Sequence, residues 1–181
     1  KWGLAVYEQD WIYRQMTYVD QFMADISLAH DWLVQMGNAA TANGVTIQYC
    51  GQLTRHLLAA VDIPAVTHAR ASGDYGKFNQ WSISDASMLL HALRILPFKD
   101  VFWSTSFQPG NPYEWLDHKP VEMCPEIQAL VSTLSTGPVA FGDGIGYANK
   151  RLLMKSCMAN GKLLKPSRPA VTPDFMLKKV R

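Results

Sequence analysis

Cysteine is scarce in this sequence: Cys50, Cys124 and Cys157 are an odd number and show no Cys-x-x-Cys spacing. Such a set supports neither a disulfide framework nor a structural zinc centre, and buried free thiols are the expectation. The histidines, at positions 30, 56, 68, 91 and 118, form no His-Glu-x-x-His or other paired ligand pattern, so no metal is assigned. Charge is sparse as well. Charged residues make up 18% of the chain and the formal net charge is +2, which leaves no strong field and argues against a nucleic-acid partner. The one basic cluster, over residues 162–181, is interrupted by prolines and reads as a chain end rather than a binding stripe. No apolar run approaches the roughly 20 residues a bilayer span requires, so no membrane span is expected. The first residues, Lys1-Trp2-Gly3-Leu4, do not have the pattern of a signal peptide.

What the chain does have is apolar content, 48% of 181 residues, enough for a compact core. That content is organised in alternation. Residues 4–7 are a short apolar run ending at Glu8-Gln9-Asp10-Trp11, and residues 22–42 carry Phe22, Ile26, Ala29, Leu33 and Met36 at helical spacing. The same order recurs downstream. Strands are expected at residues 45–50, 65–70, 101–104 and 138–141, followed by helices near 54–60, from Ser84 or Asp85 to Leu93, at 125–134 and at 148–158. Five strand-then-helix units imply a parallel sheet covered by helices, because each parallel crossover needs an intervening segment.

Two architectures share that signature. A doubly wound sheet usually carries a glycine-rich phosphate loop after its first strand, and Gly-x-Gly-x-x-Gly is absent here. A (β/α)8 TIM barrel fits better, since its active face gathers polar residues just after strand ends. Glu8, Asp10, Gln52, Arg70, Asp74 and Asp143 hold such positions. Five units are too few to close eight strands, so residues 1–160 are expected to be the C-terminal half of a barrel, about strands four to eight. Residues 161–181 then lead out toward a further domain. A half barrel by itself is expected to be inactive and to aggregate through its open edges.

Particular segments resemble a known family. Arg70-Ala71-Ser72-Gly73-Asp74-Tyr75 is similar to the Arg-Ala-Ser-Asp-Asp-Phe stretch of raffinose synthases and alkaline α-galactosidases. Ser135-Thr136-Gly137-Pro138-Val139-Ala140-Phe141-Gly142-Asp143 resembles their Ser-Gly-Gly-Pro-Val-Tyr-Val-Ser-Asp segment at the eighth strand. Asn149-Lys150-Arg151-Leu152-Leu153, Asn160-Gly161-Lys162-Leu163-Leu164 and Arg168-Pro169 echo their Asn-x-x-Leu-Leu, Asp-Gly-x-Ile-Leu and Arg-Pro elements in the same order.

The resemblance implies a glycoside hydrolase of the α-galactosidase kind, without a cofactor and with a carbohydrate substrate. Its retaining mechanism uses an aspartate nucleophile and an aspartate acid/base. Asp74 falls on the acid/base. Asp10 falls on the nucleophile, with Glu8, which stands where the family has a sugar-binding lysine, as the second choice. Gln52, Arg70 and Asp143 are the hydroxyl-binding candidates, and Trp11, Trp81, Trp103 and Trp115 are candidate platforms for the apolar face of a sugar. His68 is read first as a hydrogen-bonded core residue, and Tyr49 and Cys50 as pocket floor. A galactosyl transferase and an inactive carbohydrate-binding homologue share the same implied features.

Overall fold

A computed structural model describes residues 3–76, 80, 83–108 and 121–174. The architecture is α/β, with four strands among the described residues: β1 (Val6–Gln9), β2 (Thr46–Tyr49), β3 (Val66–Arg70) and β4 (Leu96–Phe98). They form one sheet in the order β1-β2-β3-β4. β1 and β2 pair in parallel with Val6 opposite Thr46 and Gln9 opposite Tyr49, and β2 and β3 pair in parallel with a register shift between Ile47 and Gln48. Parallel pairing follows from the helices that separate the strands in sequence.

The chain divides into two compact units, residues 1–70 with 92–96, and residues 71–91 with 97–181. The first contains β1 to β3. Between β1 and β2 run α1 (Ile12–Tyr18), α2 (Asp20–Ala24) and α3 (Ile26–Ala42). The single helix expected over residues 22–42 is broken at Asp25, whose extended backbone and carboxylate, accepting from the Ser27 and Leu28 N–H groups, restart the helix as an N-cap. That pairing holds the Asp25 carboxyl below the usual range, with the Ser27 hydroxyl the largest contributor and the two amides next. α4 (Thr54–Ala59) follows β2, close to expectation. Ile12, Leu33, Ile47, Tyr49, Leu57, Ile63 and Val66 are buried in this unit.

The second unit contains most of α5 (Ser84–Ala92), with α6 (Pro125–Leu134) and the short α7 (Lys150–Leu153). α6 coincides with the expected helix because Pro125 is pre-organised for a first turn, where its missing N–H leaves no bond unmade. Its core is Tyr75, Phe102, Trp103, Ala129 and Leu152, with Val101, Val139 and Leu153 packed around them.

Two expected strands are not strands. The fourth lies earlier than residues 101–104, at Leu96–Phe98, and residues 138–141 form none. The reason is visible in the hydrogen bonds. Gly137 N–H donates to the Pro97 carbonyl at 2.8 Å and Gly142 N–H to the Phe102 carbonyl at 2.9 Å. Equal spacing on both chains lays residues 137–142 parallel to residues 97–102, yet Pro138 has no N–H to extend the ladder. Gly137 is required for this approach, since a Cβ there would stand 2.8 Å from the Phe98 Cβ. The helix expected over residues 148–158 is likewise shorter, as α7 passes into a tighter helical turn at Met154–Ser156. Among the described residues no helix is long and apolar enough to cross a membrane.

Candidate functional site

In the first unit, the ends of β1 and β2 bring three chemically active side chains together. One ligand-type atom each of Glu8, Asp10 and Cys50 lies within 4.8 Å of the others. Sequence reasoning separated these residues, placing Cys50 only on a pocket floor. Parallel register unites them, because Gln9 opposite Tyr49 sets Asp10 beside Cys50, and Cys50 N–H donates to the Gln9 carbonyl at 3.0 Å.

The turn after Asp10 is built around its carboxylate. Trp11 N–H donates to Asp10 Oδ1 at 2.6 Å, and Trp11 adopts φ 57°, a left-handed conformation uncommon for a bulky residue. Its carbonyl then accepts from Arg14 and Gln15 N–H, at 2.9 and 3.2 Å, to start α1. On the facing loop Gly51 is also left-handed, at φ +61°, and a Cβ there would lie 3.2 Å from Asp10 Oδ1 and 3.1 Å from Trp11 N. Glycine therefore keeps space for the carboxylate.

Burial pushes the Cys50 thiol up to about 12. Its hydrogen bond to Asp10 adds to this, Arg70 opposes it, and the charges of Asp10 and Glu8 reinforce it. The thiol is thus a neutral donor to Asp10 rather than a nucleophile. Glu8, Asp10 and Cys50 are the residue types that could hold a cation among the described residues, though binding would first have to displace the thiol proton.

Around the cluster, Gln52 Nε2 donates to the Arg70 carbonyl at 2.7 Å, while its Oε1 meets no donor among the described residues. Trp11 is 55% exposed, with the Arg14 guanidinium 5.5 Å from its ring centre and also over Tyr13 and Tyr18. This cation–aromatic group escaped sequence reasoning because α1 was not expected; the spacing of Tyr13, Arg14 and Tyr18 was the available signal. His68 is buried and bonded through both ring nitrogens, to Thr67 Oγ1 at 2.8 Å and Gln48 Oε1 at 2.9 Å, which suits a core role. Tyr49 is wholly buried, and burial lifts its hydroxyl to about 12.

In the second unit, Asp74 is half-buried and sits in a turn held by its neighbours. Ser72 Oγ donates to the Gly73 carbonyl at 2.9 Å and accepts from Asp100 N–H at 2.9 Å. Asp100 Oδ2 accepts from Tyr75 N–H at 2.7 Å. The Tyr75 hydroxyl donates to Glu122 Oε2 at 2.7 Å, and Gln128 Nε2 reaches the same oxygen at 3.0 Å. Burial, then Glu122 as acceptor, pushes the Tyr75 hydroxyl up. Lys99 is wholly buried with Nζ 5.5 Å from the Tyr75 ring centre. Burial pulls its ammonium down to about 8 against the opposing charges of Asp100 and Glu122. None of Lys99, Asp100 or Glu122 was singled out from sequence, where a lone Lys-Asp pair and a lone Glu look like solvated charges.

Two further candidates lie in this unit. Trp103 is buried in the core with the Tyr75 ring centre 6.0 Å away. Asp143 accepts from Ser104 N–H at 2.8 Å, from Ser104 Oγ at 2.6 Å and from Gln108 Nε2. Ser104 Oγ and Gln108 Oε1 in turn accept from Asn149 and Gly144 N–H, both at 2.7 Å, so Asp143 closes the loop ahead of α7. Trp81 and Trp115 lie outside the described residues. No family model, curated protein or solved structure matches the chain.

Proposed function

We propose that the chain is part of a retaining glycoside hydrolase acting on α-glycosides, α-galactosides first, on a barrel of the raffinose synthase and alkaline α-galactosidase kind. Asp10 attacks the anomeric carbon while Asp74 protonates the departing oxygen. Asp74 then takes a proton from water, which displaces Asp10 and restores the original anomeric configuration. A sugar hydroxyl replacing water in the second step makes the same site a transferase. Glu8, Gln52 and Arg70 are the groups for sugar hydroxyls, and Trp11 is the platform for the sugar's apolar face.

The observation that carries this reading is the setting of Asp10. Its carboxylate ends a parallel strand, is oriented by Trp11 N–H and Cys50, and directly precedes an exposed tryptophan in a left-handed conformation. Left-handed backbone at a bulky residue is concentrated at functional sites. A separate feature supports the family placement. Thr136, where the similar segment has its first glycine, is left-handed at φ 73°, and Gly137, where it has the second, cannot accept a Cβ without displacement.

One observation favours a binding-only relative: Glu8, exposed beside Asp10, occupies the place of the family's sugar-binding lysine. The two readings separate on covalent chemistry. A mechanism-based α-galactoside, incubated with the full-length protein, is expected to label Asp10, and Asp10→Ala to abolish turnover. Sugar binding without turnover of any α-glycoside decides for the binding-only relative, and a label on Glu8 exchanges the roles of the two carboxylates.

A further inference from the structure

The two peptide planes that flank the Asp74 α-carbon are both pinned through a single residue. Because each peptide unit is planar, the position of the Gly73 carbonyl fixes the plane before Asp74, and the Tyr75 N–H fixes the plane after it. Ser72 Oγ holds the Gly73 carbonyl at 2.9 Å and is itself held by Asp100 N–H at 2.9 Å. The Asp100 carboxylate holds Tyr75 N–H at 2.7 Å. With both planes set, the direction in which Asp74 leaves the backbone is set too.

We infer that Asp100 is a positioning residue that orients the Asp74 turn for proton transfer to the glycosidic oxygen. The inference rests on the reading of Asp74 as acid/base. The bond from Tyr75 N–H to a carboxylate is of the strong, charge-assisted kind. The remainder of the neighbourhood holds the far end of the same arrangement: Tyr75 is anchored through its hydroxyl to Glu122, which Cys124 N–H and Gln128 Nε2 also hold, at 2.9 and 3.0 Å. Asp100 thus sits between an anchored aromatic on one side and the Ser72 hydroxyl on the other.

A positioning role has a signature that a folding role lacks. A defect in proton donation is felt by a substrate with a poor leaving group and hidden by one whose leaving group departs unaided. The experiment compares kcat/KM for methyl α-galactoside and dinitrophenyl α-galactoside in the full-length protein and its Asp74→Ala, Asp100→Ala, Asp100→Asn and Ser72→Ala variants. Asp74→Ala is expected to lose roughly 10²- to 10⁴-fold on the methyl glycoside and little on the aryl one. Asp100→Ala should show the same split at about 10- to 100-fold, a misaligned rather than missing acid. Asp100→Asn keeps an oxygen to accept from Tyr75 N–H and should recover most of the loss.

Equal losses on both substrates in Asp100→Ala, or none, while Asp74→Ala shows the split, overturn the positioning role alone. An Asp74→Ala variant that still hydrolyses the methyl glycoside at the wild-type rate removes the acid/base reading and this inference with it. If Asp100→Ala fails to fold, Ser72→Ala and Asp100→Asn decide. A split in Ser72→Ala with wild-type-like Asp100→Asn supports the role, and any other pattern in that pair counts against it.

Discussion

Each of the two units buries a basic side chain whose charged form burial disfavours, His56 in the first and Lys99 in the second, and the two titrate in separate pH windows. In the first unit His56, 2% exposed, takes Leu53 N–H on Nδ1 at 3.0 Å and caps its own helix. Burial, reinforced by Arg55, pulls its imidazole down to about 4. In the second unit Lys99 is equally enclosed but lies among acids and the Tyr75 ring, and burial pulls it down to about 8. The difference shows what company a buried base keeps. His56 serves as a neutral acceptor, whereas the opposing charges of Asp100 and Glu122 keep Lys99 cationic through neutrality.

The sharpest test of the division itself is a core deletion. Phe102 is wholly buried in the second unit, and Phe102→Ala should destabilise by about 3 to 5 kcal/mol. Amide hydrogen exchange should show the loss in α6 and around Trp103 while β2 keeps its protection. An equal loss of protection in β2 would dissolve the comparison into one cooperative body.

The pH dependence sharpens it next. For His56 the unfolded imidazole titrates near 6.5 and the folded one near 4, so the unfolded state binds more protons between these values. Stability contributed there is complete above about pH 6.5 and is lost as pH falls to 4, about 3 kcal/mol in all. For Lys99 the folded value near 8 lies below the unfolded 10.5. The same sign then makes stability rise by about 3 kcal/mol as pH climbs from 8 to 10.5. Denaturant melts across both windows, in His56→Leu and Lys99→Met as well as the parent, check the assignment. Each variant should flatten its own window and leave the other's slope in place.

Smaller effects address strain and reactivity. Thr136 combines a left-handed backbone with a buried hydroxyl that meets no donor among the described residues. Thr136→Gly should therefore stabilise by about 1 kcal/mol, read from the denaturation midpoint. Cys50, held near 12, should alkylate far more slowly at pH 8 than Cys124 and Cys157, which are less buried. In Asp10→Asn, mass mapping should find Cys50 modestly faster, and an unchanged rate would deny the thiol–carboxylate bond.

Much of the fold was legible where local chemistry and tertiary structure agree. The capped and proline-started helices, Asp25 with α3 and Pro125 with α6, and the β-branched runs of β2 and β3 lie near their expected places. Where pairing decides, the pattern misled. Residues 101–104 are as apolar as a strand, but Val101, Phe102 and Trp103 pack into the second unit's core without a ladder, while the ladder falls on Leu96–Phe98. The candidate site was half legible. Asp10 and Asp74 stand out by position after strands, whereas Cys50, Asp100 and Glu122 become partners only through register and turn hydrogen bonds that span dozens of residues.

Gly51 has one more consequence, for tolerance to mutation. Its left-handed backbone, with Asp10 Oδ1 and Trp11 N 3.2 and 3.1 Å from where a Cβ would stand, makes any side chain strained and crowded there, although glycine itself brings no functional group. A saturation scan of the protein should therefore find every substitution at position 51 costly, with alanine and asparagine the mildest and bulky or β-branched residues the worst. A position that looks catalytic in such a scan is here the empty space that a carboxylate needs.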